Sequence, residues 1–269
     1  MSNALAPHID THAHVFEPGL ATVAQPRYVP SYAAPLAAYL EQLDVNGMQR
    51  GVLVQPSFLG SDNSYLLAAL AQAPDRLRGV IVVDTAHLES ELSEERMARL
   101  DASGVRGMRL NLVGAAVPAL QSAEWQIVGE RLAALGWHLE IQAAGAQWEA
   151  LESALTAWPS TVVIDHLGLP SPDERDAKRR VLRLASRINT WVKVSGFYRS
   201  QPGEALSMTS ALRSAGLTER LVFGSDWPFT RFEDQRYADL KYRAVEALGD
   251  DAERVLGQNA LRLMGWGFG

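Results

Sequence analysis

The sequence predicts a single distorted (β/α)8 barrel of the TIM type, an α/β fold, with an additional helix at its C-terminus. Short runs rich in Val, Ile and Leu alternate along the chain with longer stretches of helical periodicity, as in repeated β/α units. The short runs lack clear alternation of apolar and polar residues, which indicates parallel strands buried on both faces. No glycine-rich dinucleotide fingerprint follows any of them, and this disfavours the alternative fold, an open doubly wound sheet.

Eight apolar runs are the predicted strands. They are His8–Asp10, Gly51–Gln55, Gly79–Val83, Val105–Leu110, His138–Gln142, Val162–Asp165, Trp191–Ser195 and Leu221–Gly224. Stretches with apolar residues at helical spacing are the predicted helices. They are Pro35–Leu43, Ser64–Ala73, Ser90–Leu100, Ser122–Leu135, Ala146–Ala157, Glu174–Ile188, Glu204–Ala215, Phe232–Leu248 and, as the closing helix, Ala252–Met264.

The composition narrows the classes of function. We expect the 269 residues to form one domain, residues 1–269, because barrels of this type commonly reach about 250 residues. The net charge of −6 and the lack of a basic cluster argue against nucleic acid as a partner. Because the chain has no cysteine, disulfides, thiolate nucleophiles and Cys-ligated zinc are excluded.

The sequence also lacks the patterns typical of a membrane span and of a signal peptide. No stretch reaches the roughly 18 to 20 apolar residues that a membrane span needs. The segment Met1–Pro7 has neither the cationic nor the apolar region of a signal peptide, so we expect a cytoplasmic protein. Apolar residues near the C-terminus, including Leu263, Met264 and Trp266, are expected to cover the barrel bottom. An oligomer contact is the alternative for them.

Titratable residues stand where the predicted strands end, which is where barrels of this type carry their chemistry. The first strand runs into Asp10-Thr11-His12-Ala13-His14, and side chains two apart on a strand share a face. Asp10, His12 and His14 are therefore expected on one side. His166 follows the sixth strand and Asp226 follows the eighth. The convergence of two histidines, a third histidine and an aspartate on one rim predicts a catalytic site.

Arginines stand at two further strand ends. Arg109 lies at the end of the fourth strand and Arg199 follows the seventh. Guanidinium groups bind carboxylates through bidentate, charge-assisted hydrogen bonds, so the pair predicts a substrate with at least one carboxylate. The alternative for Arg109 is a structural ion pair in the barrel mouth.

Four motifs, in order, resemble the amidohydrolase superfamily. They are Ile-Asp-Thr-His-Ala-His, Val-Ile-Asp-His-Leu-Gly, Val-Lys-Val-Ser-Gly and Phe-Gly-Ser-Asp-Trp-Pro. The branch they are most similar to contains the 2-pyrone-4,6-dicarboxylate lactonases and sugar lactonases. The likeness runs from His8 to about Pro228 and continues into the C-terminal helices. It implies a hydrolase that opens a small carboxylated lactone, such as a 2-pyrone-4,6-dicarboxylate-like or sugar lactone, in aromatic catabolism.

The resemblance also implies roles for individual residues. His12, His14 and His166 would polarise the lactone carbonyl, and Asp226 would act as the general base that takes a proton from water. Tyr28, Ser57 and Gln142 would join Arg109 and Arg199 in binding the substrate; this list completes the predicted site.

The resemblance further bears on metal binding. Binuclear members of the superfamily hold a second metal through a carboxylated lysine on strand four and a histidine on strand five. Arg109 and Gln142 stand nearest those positions here, which argues against a binuclear site. One divalent metal such as zinc could bind through His12, His14 and Asp226. We favour a reaction that requires no metal.

This chain departs from the pyrone lactonases at two places. It has Gly114-Ala115-Ala116 where they show a basic pair, and Phe229-Thr230-Arg231 where they tend to show His-Pro-Asn. Both changes bear on which lactone is bound rather than on lactone hydrolysis itself, and Arg231 could restore a lost cation. Two alternatives remain open: a metal-dependent decarboxylase of an aromatic or muconate-like acid, and a catalytically silent barrel that binds an acidic ligand.

Overall fold

A computed structural model describes residues 6–267 of the chain. Within that range eight parallel strands pair in chain order, β1 with β2 and so on to β7 with β8. The strands are β1 Ile9–Ala13, β2 Arg50–Val54, β3 Leu77–Ile81, β4 Val105–Asn111, β5 His138–Gln142, β6 Thr161–Ile164, β7 Thr190–Val194 and β8 Leu221–Phe223. The predicted barrel is confirmed. The ends of the predicted domain, residues 1–5 and 268–269, lie outside the described residues, as does most of the Met1–Pro7 segment.

The barrel closes through the residues that follow its last strand. β8 is only three residues long, and the chain beyond it completes the pairing with β1. The Asp226 backbone N–H donates to the His12 carbonyl at 2.7 Å, and the His14 N–H donates to the Trp227 carbonyl at 2.8 Å. The closure of the barrel therefore fixes the backbones of His12, His14 and Asp226 against one another.

Ten α-helices are found between residues 6 and 267. They are α1 Leu36–Val45, α2 Ser64–Gln72, α3 Leu88–Glu91, α4 Glu94–Ala102, α5 Ala123–Ala134, α6 Gln147–Leu155, α7 Arg175–Ala185, α8 Glu204–Ser214, α9 Tyr237–Leu248 and α10 Asn259–Met264. No helix in the described part of the chain has the length and apolar character to cross a membrane.

Three predicted helices differ from the observed ones. The predicted helix Ser90–Leu100 is divided into α3 and α4, because Ser93 has an extended backbone between them. The helix predicted from Phe232 begins only at Tyr237, because Arg236, directly before it, has an extended backbone. The predicted closing helix consists of a π-helical segment, Arg254–Gln258, followed by α10.

The interior of the barrel has an apolar layer below a polar one. Ile9, Val52, Val80, Val163 and Val222 form one cluster, and α10 packs against it. The C-terminal side chains of that cluster are Leu261, Leu263, Met264 and Trp266, all buried. The prediction that these apolar residues cover the barrel bottom is thus confirmed, and the chemistry is confined to the opposite end.

Candidate active site

A cavity of about 580 Å³ opens at the carboxyl ends of the strands. Eight of the nine predicted site residues line it: His14, Tyr28, Ser57, Arg109, Gln142, His166, Arg199 and Asp226. The ninth, His12, is fully buried directly behind His14, and the Nε2 atoms of the two rings are 3.3 Å apart. The structure therefore brings the predicted residues together at one site.

A β-bulge in β1 sets the direction of the two N-terminal histidines. Asp10 pairs with Gly51 but Ala13 pairs with Leu53, so β1 carries one extra residue between these pairs. Such a bulge interrupts the alternation of side chains along a strand. His12 consequently faces the barrel interior, while Asp10 does not.

The expectation that Asp10 lies with the histidines is wrong. Its carboxylate accepts hydrogen bonds from the hydroxyls of Tyr39 at 3.1 Å, Tyr237 at 3.0 Å and Ser225 at 2.6 Å. Burial raises the pKa of Asp10, although the hydrogen bonds from Ser225 oppose the shift. Because Tyr39 and Tyr237 belong to α1 and α9, Asp10 ties these helices to the strand that carries His12.

Two residues at strand ends adopt backbone conformations that are uncommon for residues other than glycine. His166 has φ 48° and Asp226 has φ 65°. Both belong to tight turns that follow the short strands β6 and β8, and both side chains line the cavity. The His166 ring meets Ser195, whose Oγ is 2.9 Å from Nδ1. If the Ser195 hydroxyl donates this bond, the proton of His166 is on Nε2.

Asp226 is the carboxylate of the cavity wall. Its Oδ2 accepts from the Tyr198 hydroxyl at 2.7 Å and from the Arg199 guanidinium. Its Oδ1 has no hydrogen-bond partner among the described residues and lies 3.6 Å from His14 Nε2, too far for a hydrogen bond. Burial alone would raise the pKa of Asp226, but Arg199 and then His166 hold it well below the usual range. The carboxylate is therefore ionised at neutral pH, with one oxygen free.

Beneath the cavity lies a buried network of charged residues from β4, β5 and β7 and from the turn that follows β6. Lys193 Nζ donates to Glu140 and lies 3.4 Å from Asp165 Oδ1. Arg109 Nε donates to Asp165 Oδ2 at 2.9 Å and lies 3.3 Å from Glu140 Oε1. Two cations thus balance two carboxylates, which is what makes charges tolerable in a closed interior. Burial would raise the pKa of Asp165, but the charge of Lys193, together with that of Arg109, holds it well below its usual range.

This network determines which nitrogen of His12 carries the proton. Lys193 Nζ is 3.0 Å from His12 Nδ1, and an ammonium group can only donate. Nδ1 therefore accepts and the proton is on Nε2. Burial and the charge of Lys193 lower the pKa of His12 well below its usual value, so the ring is neutral. His14 has the opposite arrangement, because its Nδ1 donates to the Val54 carbonyl at 2.7 Å and leaves Nε2 as an acceptor.

The predicted substrate-binding residues differ in how many of their hydrogen-bonding groups remain available to a ligand. Arg109 Nη2 donates to Gln142 Oε1 at 2.6 Å, which leaves the amide N–H groups of Gln142 for a ligand. The charge of Arg109 is already shared with Asp165 and that of Arg199 with Asp226. Tyr28 lines the cavity, but its hydroxyl donates to Glu233 at 2.8 Å. The two arginines of the predicted clamp thus each form an ion pair with a buried carboxylate.

Sequence reasoning missed the roles of Lys193, Glu140, Asp165 and Ser195. A usable signal was present in the strand periodicity. Lys193 stands two residues before Ser195, as Glu140 stands two before Gln142, so each pair shares the interior face of its strand. A lysine between valines in a fully buried strand needs a carboxylate partner, and Glu140 supplies it.

Two groups of donor atoms lie close enough together to hold a metal ion. His12, His14 and Asp226 form one group and His12, Asp165 and His166 form a second. In the first group His12 Nε2 is 3.3 Å from His14 Nε2 and 3.8 Å from Asp226 Oδ1. Ligands about 2.0 to 2.1 Å from a tetrahedral zinc ion are roughly 3.3 Å apart, so these residues fit one divalent ion in spacing. The proton on His12 Nε2 opposes it.

Comparisons with known proteins identify relatives of this chain. The family profile described as amidohydrolase matches residues 9–266. A 2-pyrone-4,6-dicarboxylate hydrolase of Comamonas testosteroni is 29% identical over 283 residues, covering 95% of this chain and 89% of that protein. A 4-sulfomuconolactone hydrolase of Rhizobium radiobacter is 28% identical, with the same coverage of 95% and 89%. A solved structure, a probable 2-pyrone-4,6-dicarboxylic acid hydrolase from Acinetobacter baumannii with citric acid bound, has a TM-score of 0.89 and 34% identity, covering 96% of this chain and 99% of that one.

Proposed function

The chain belongs to the amidohydrolase family, and we propose that it is a lactonase that opens a small, carboxylate-bearing lactone by attack of water. The observation that carries the proposal is the state of Asp226. This buried carboxylate is ionised, and its Oδ1 faces the histidines without a hydrogen-bond partner among residues 6–267. A carboxylate of this kind is equipped to take a proton from water.

In the proposed mechanism the protonated nitrogens and the free acceptors have different tasks. The Nε2–H group of His166 donates to the lactone carbonyl and to the oxyanion that develops on it, while the Nε2–H group of the buried His12 donates to His14 Nε2, 3.3 Å away. Preorganised donors of this kind each lower the barrier by about 3 kcal/mol. Water donates a hydrogen bond to Asp226 Oδ1, which directs its lone pair at the carbonyl carbon. His14 lines the cavity beside this water and does not polarise the carbonyl.

The reaction then proceeds in two steps without a covalent intermediate on the protein. Water attacks the carbonyl carbon while Asp226 accepts its proton, and a tetrahedral oxyanion forms. The oxyanion collapses, the bond from this carbon to the ring oxygen breaks, and Asp226 returns its proton to that oxygen. The product is the open hydroxy acid or its keto tautomer, and the enzyme is restored. A positioned general base of this kind contributes about 10²- to 10⁴-fold in rate.

The substrate class follows from the lining of the cavity. Arg109, Arg199 and the amide of Gln142 are suited to an acidic group on the lactone, with Ser57 and Tyr28 on the opposite loops. The relatives' names support this class, since 2-pyrone-4,6-dicarboxylate and 4-sulfomuconolactone both carry acidic groups. We propose a lactone of this type in aromatic catabolism as the substrate.

We propose that the reaction requires no metal, because Lys193 keeps a proton on the His12 nitrogen that a metal would need. If a divalent ion such as zinc does bind, His12, His14 and Asp226 would hold it, and it would polarise the carbonyl and lower the pKa of a bound water. A decarboxylase in this fold would instead depend on such an ion.

The test is a lactone screen by pH-indicator hydrolysis, run on protein treated with a chelator and checked by elemental analysis. We expect hydrolysis of acidic lactones by the metal-free protein, and a loss of about 10²- to 10⁴-fold in kcat for Asp226→Asn. Asp176→Asn, an exposed aspartate on α7, is the matched control and should retain full activity. Activity that disappears with the metal and is accompanied by release of CO₂ would favour the decarboxylase. Ligand binding without turnover of any lactone would favour a silent binding barrel.

A further inference from the structure

The cavity is lined by more cations than its acidic residues can neutralise. Four guanidiniums line it, those of Arg27, Arg109, Arg199 and Arg231, whereas Asp226 is the carboxylate among the lining residues. Arg109 is paired with Asp165 and Glu140, which lie beneath the cavity.

Arg27 and Arg231 differ from the two inner arginines. Neither side chain lies within ion-pair distance of a carboxylate in residues 6–267, and both are exposed at the mouth. Partial desolvation in the cavity mouth and then the positive charges of Arg109, Arg231 and Arg199 lower the pKa of Arg27. The four cations therefore act on one another across the cavity, and an anion bound between them would relieve this repulsion.

A single carboxylate holds the loops that carry the two outer arginines. Glu233 Oε1 accepts from the Tyr28 hydroxyl at 2.8 Å and from the backbone N–H of Arg231 at 2.9 Å. Tyr28 follows Arg27 directly, so Glu233 ties both arginines to one side of the rim. Its charge is engaged by these neutral donors instead of by either guanidinium.

The opposite wall leaves room for one of these side chains. A Cβ atom added at Gly114 would lie 4.0 Å from Cδ of Arg27, so the stem of this arginine runs beside the glycine. Ala115, the next residue, also lines the cavity and is small. The guanidinium of Arg27 therefore reaches the mouth of the cavity across a stretch of chain that brings no charge of its own.

We propose that Arg27 and Arg231 form an outer anion site that binds a second acidic group of the lactone and selects substrates with two such groups. The inference rests on the lactonase function proposed above and deepens it. The first acidic group binds at the inner arginines, near the reacting carbonyl, and the second, a carboxylate or a sulfonate, binds at the mouth. The outer site contributes to substrate affinity and takes no part in bond breaking.

The test compares two lactones that differ by one acidic group, 2-pyrone-4,6-dicarboxylate and 2-pyrone-6-carboxylate. For the double variant Arg27→Gln/Arg231→Gln we expect KM for the diacid to rise about 10- to 100-fold, with kcat within about threefold. The constants for the monoacid should remain within about twofold. Arg236→Gln is the matched control, because Arg236 is exposed near the same loop but does not line the cavity.

Equal loss on both lactones, or no loss on the diacid, would overturn the outer site. A binding measurement separates this outcome from failure of the lactonase proposal. Calorimetric titration with benzene-1,3-dicarboxylate and with benzoate requires no turnover. At least tenfold tighter binding of the diacid, abolished in the double variant, supports the outer site even if no lactone is opened. Equal affinity for the two acids, or a preference that the double variant retains, contradicts it.

Discussion

His166 shows how the fold changes the properties of a single side chain. The ring is buried beside Ser195, and burial lowers its pKa to about 4, although the negative charges of Asp226 and Asp165 oppose the shift. In the unfolded chain the same histidine has a pKa near 6.5. Between these values the unfolded state binds a proton that the folded state does not, so stability must fall as the pH falls from 6.5 towards 4.

We therefore expect the free energy of unfolding to decrease by about 3 kcal/mol between pH 7 and pH 4 from His166 alone. His12, whose pKa is also lowered, adds to this loss. In His166→Gln the decrease should be smaller by about the His166 share, whereas His87→Gln, at an exposed histidine, should leave it unchanged. Urea unfolding at several pH values measures this. A His166→Gln slope equal to that of the parent would contradict the buried, neutral ring.

At the residue scale the sequence predicts which residues form the site, but it does not predict which histidine nitrogens carry protons. His14, His166 and Asp226 could be found because barrels carry chemistry at strand ends. The proton positions on His12 and His14 depend on Lys193 and on the Val54 carbonyl, which are distant in the chain. No local pattern encodes such contacts, so the three histidines looked equivalent.

At the scale of the elements, β1 shows what strand periodicity can and cannot predict. The strand itself was found, although it extends to Ala13, beyond the predicted end at Asp10. The bulge was not found, because an extra residue in a strand is defined by its register with β2 and not by its own residues. Asp10 was consequently assigned to the wrong side.

Strand β7 contributes a residue that positions another without touching substrate. Lys193 holds the His12 tautomer, and Glu140 balances its charge. In Lys193→Met/Glu140→Gln one cation and one carboxylate are removed together, so the interior stays balanced. His12 Nδ1 can then donate to Asp165 Oδ1, 3.3 Å away, which leaves Nε2 free of its proton. We expect kcat to fall about 10²-fold with KM within about threefold, because two unprotonated nitrogens, His12 Nε2 and His14 Nε2, then face each other 3.3 Å apart and displace the His14 ring.

The same double variant should also retain close to one equivalent of zinc after dialysis, measured by elemental analysis, whereas the parent should retain little. The zinc content distinguishes a role of Lys193 in fixing the His12 proton from a purely structural role of Lys193. Lys178→Met, at a partly exposed lysine on α7 that does not line the cavity, is the control and should match the parent in both readings. A fall in kcat with unchanged zinc content would contradict the tautomer argument.

At the scale of the whole molecule, the barrel separates stability from chemistry. The interior valines and α10 form the lower layer, and the ionised residues occupy the upper layer. The sequence predicted this division in outline, because the strands are mostly apolar and the predicted site residues stand where the strands end. It could not predict the closure of the barrel, which runs through backbone bonds between residues more than 200 positions apart, such as Asp226 to His12.

This separation leads to a prediction for the C-terminal helix. Leu261 is 1% exposed and packs against the lower valine layer, whereas Leu206 on α8 is 49% exposed. Leu261→Ala should lower the free energy of unfolding by about 2 to 5 kcal/mol, and Leu206→Ala by less than about 1 kcal/mol. Denaturant titration measures both. Because Leu261 does not line the cavity, the folded Leu261→Ala protein should keep kcat within about twofold at 25 °C. If kcat instead fell in proportion to the lost stability, the two layers would be coupled, and the division of the barrel into a supporting end and a reacting end would be wrong.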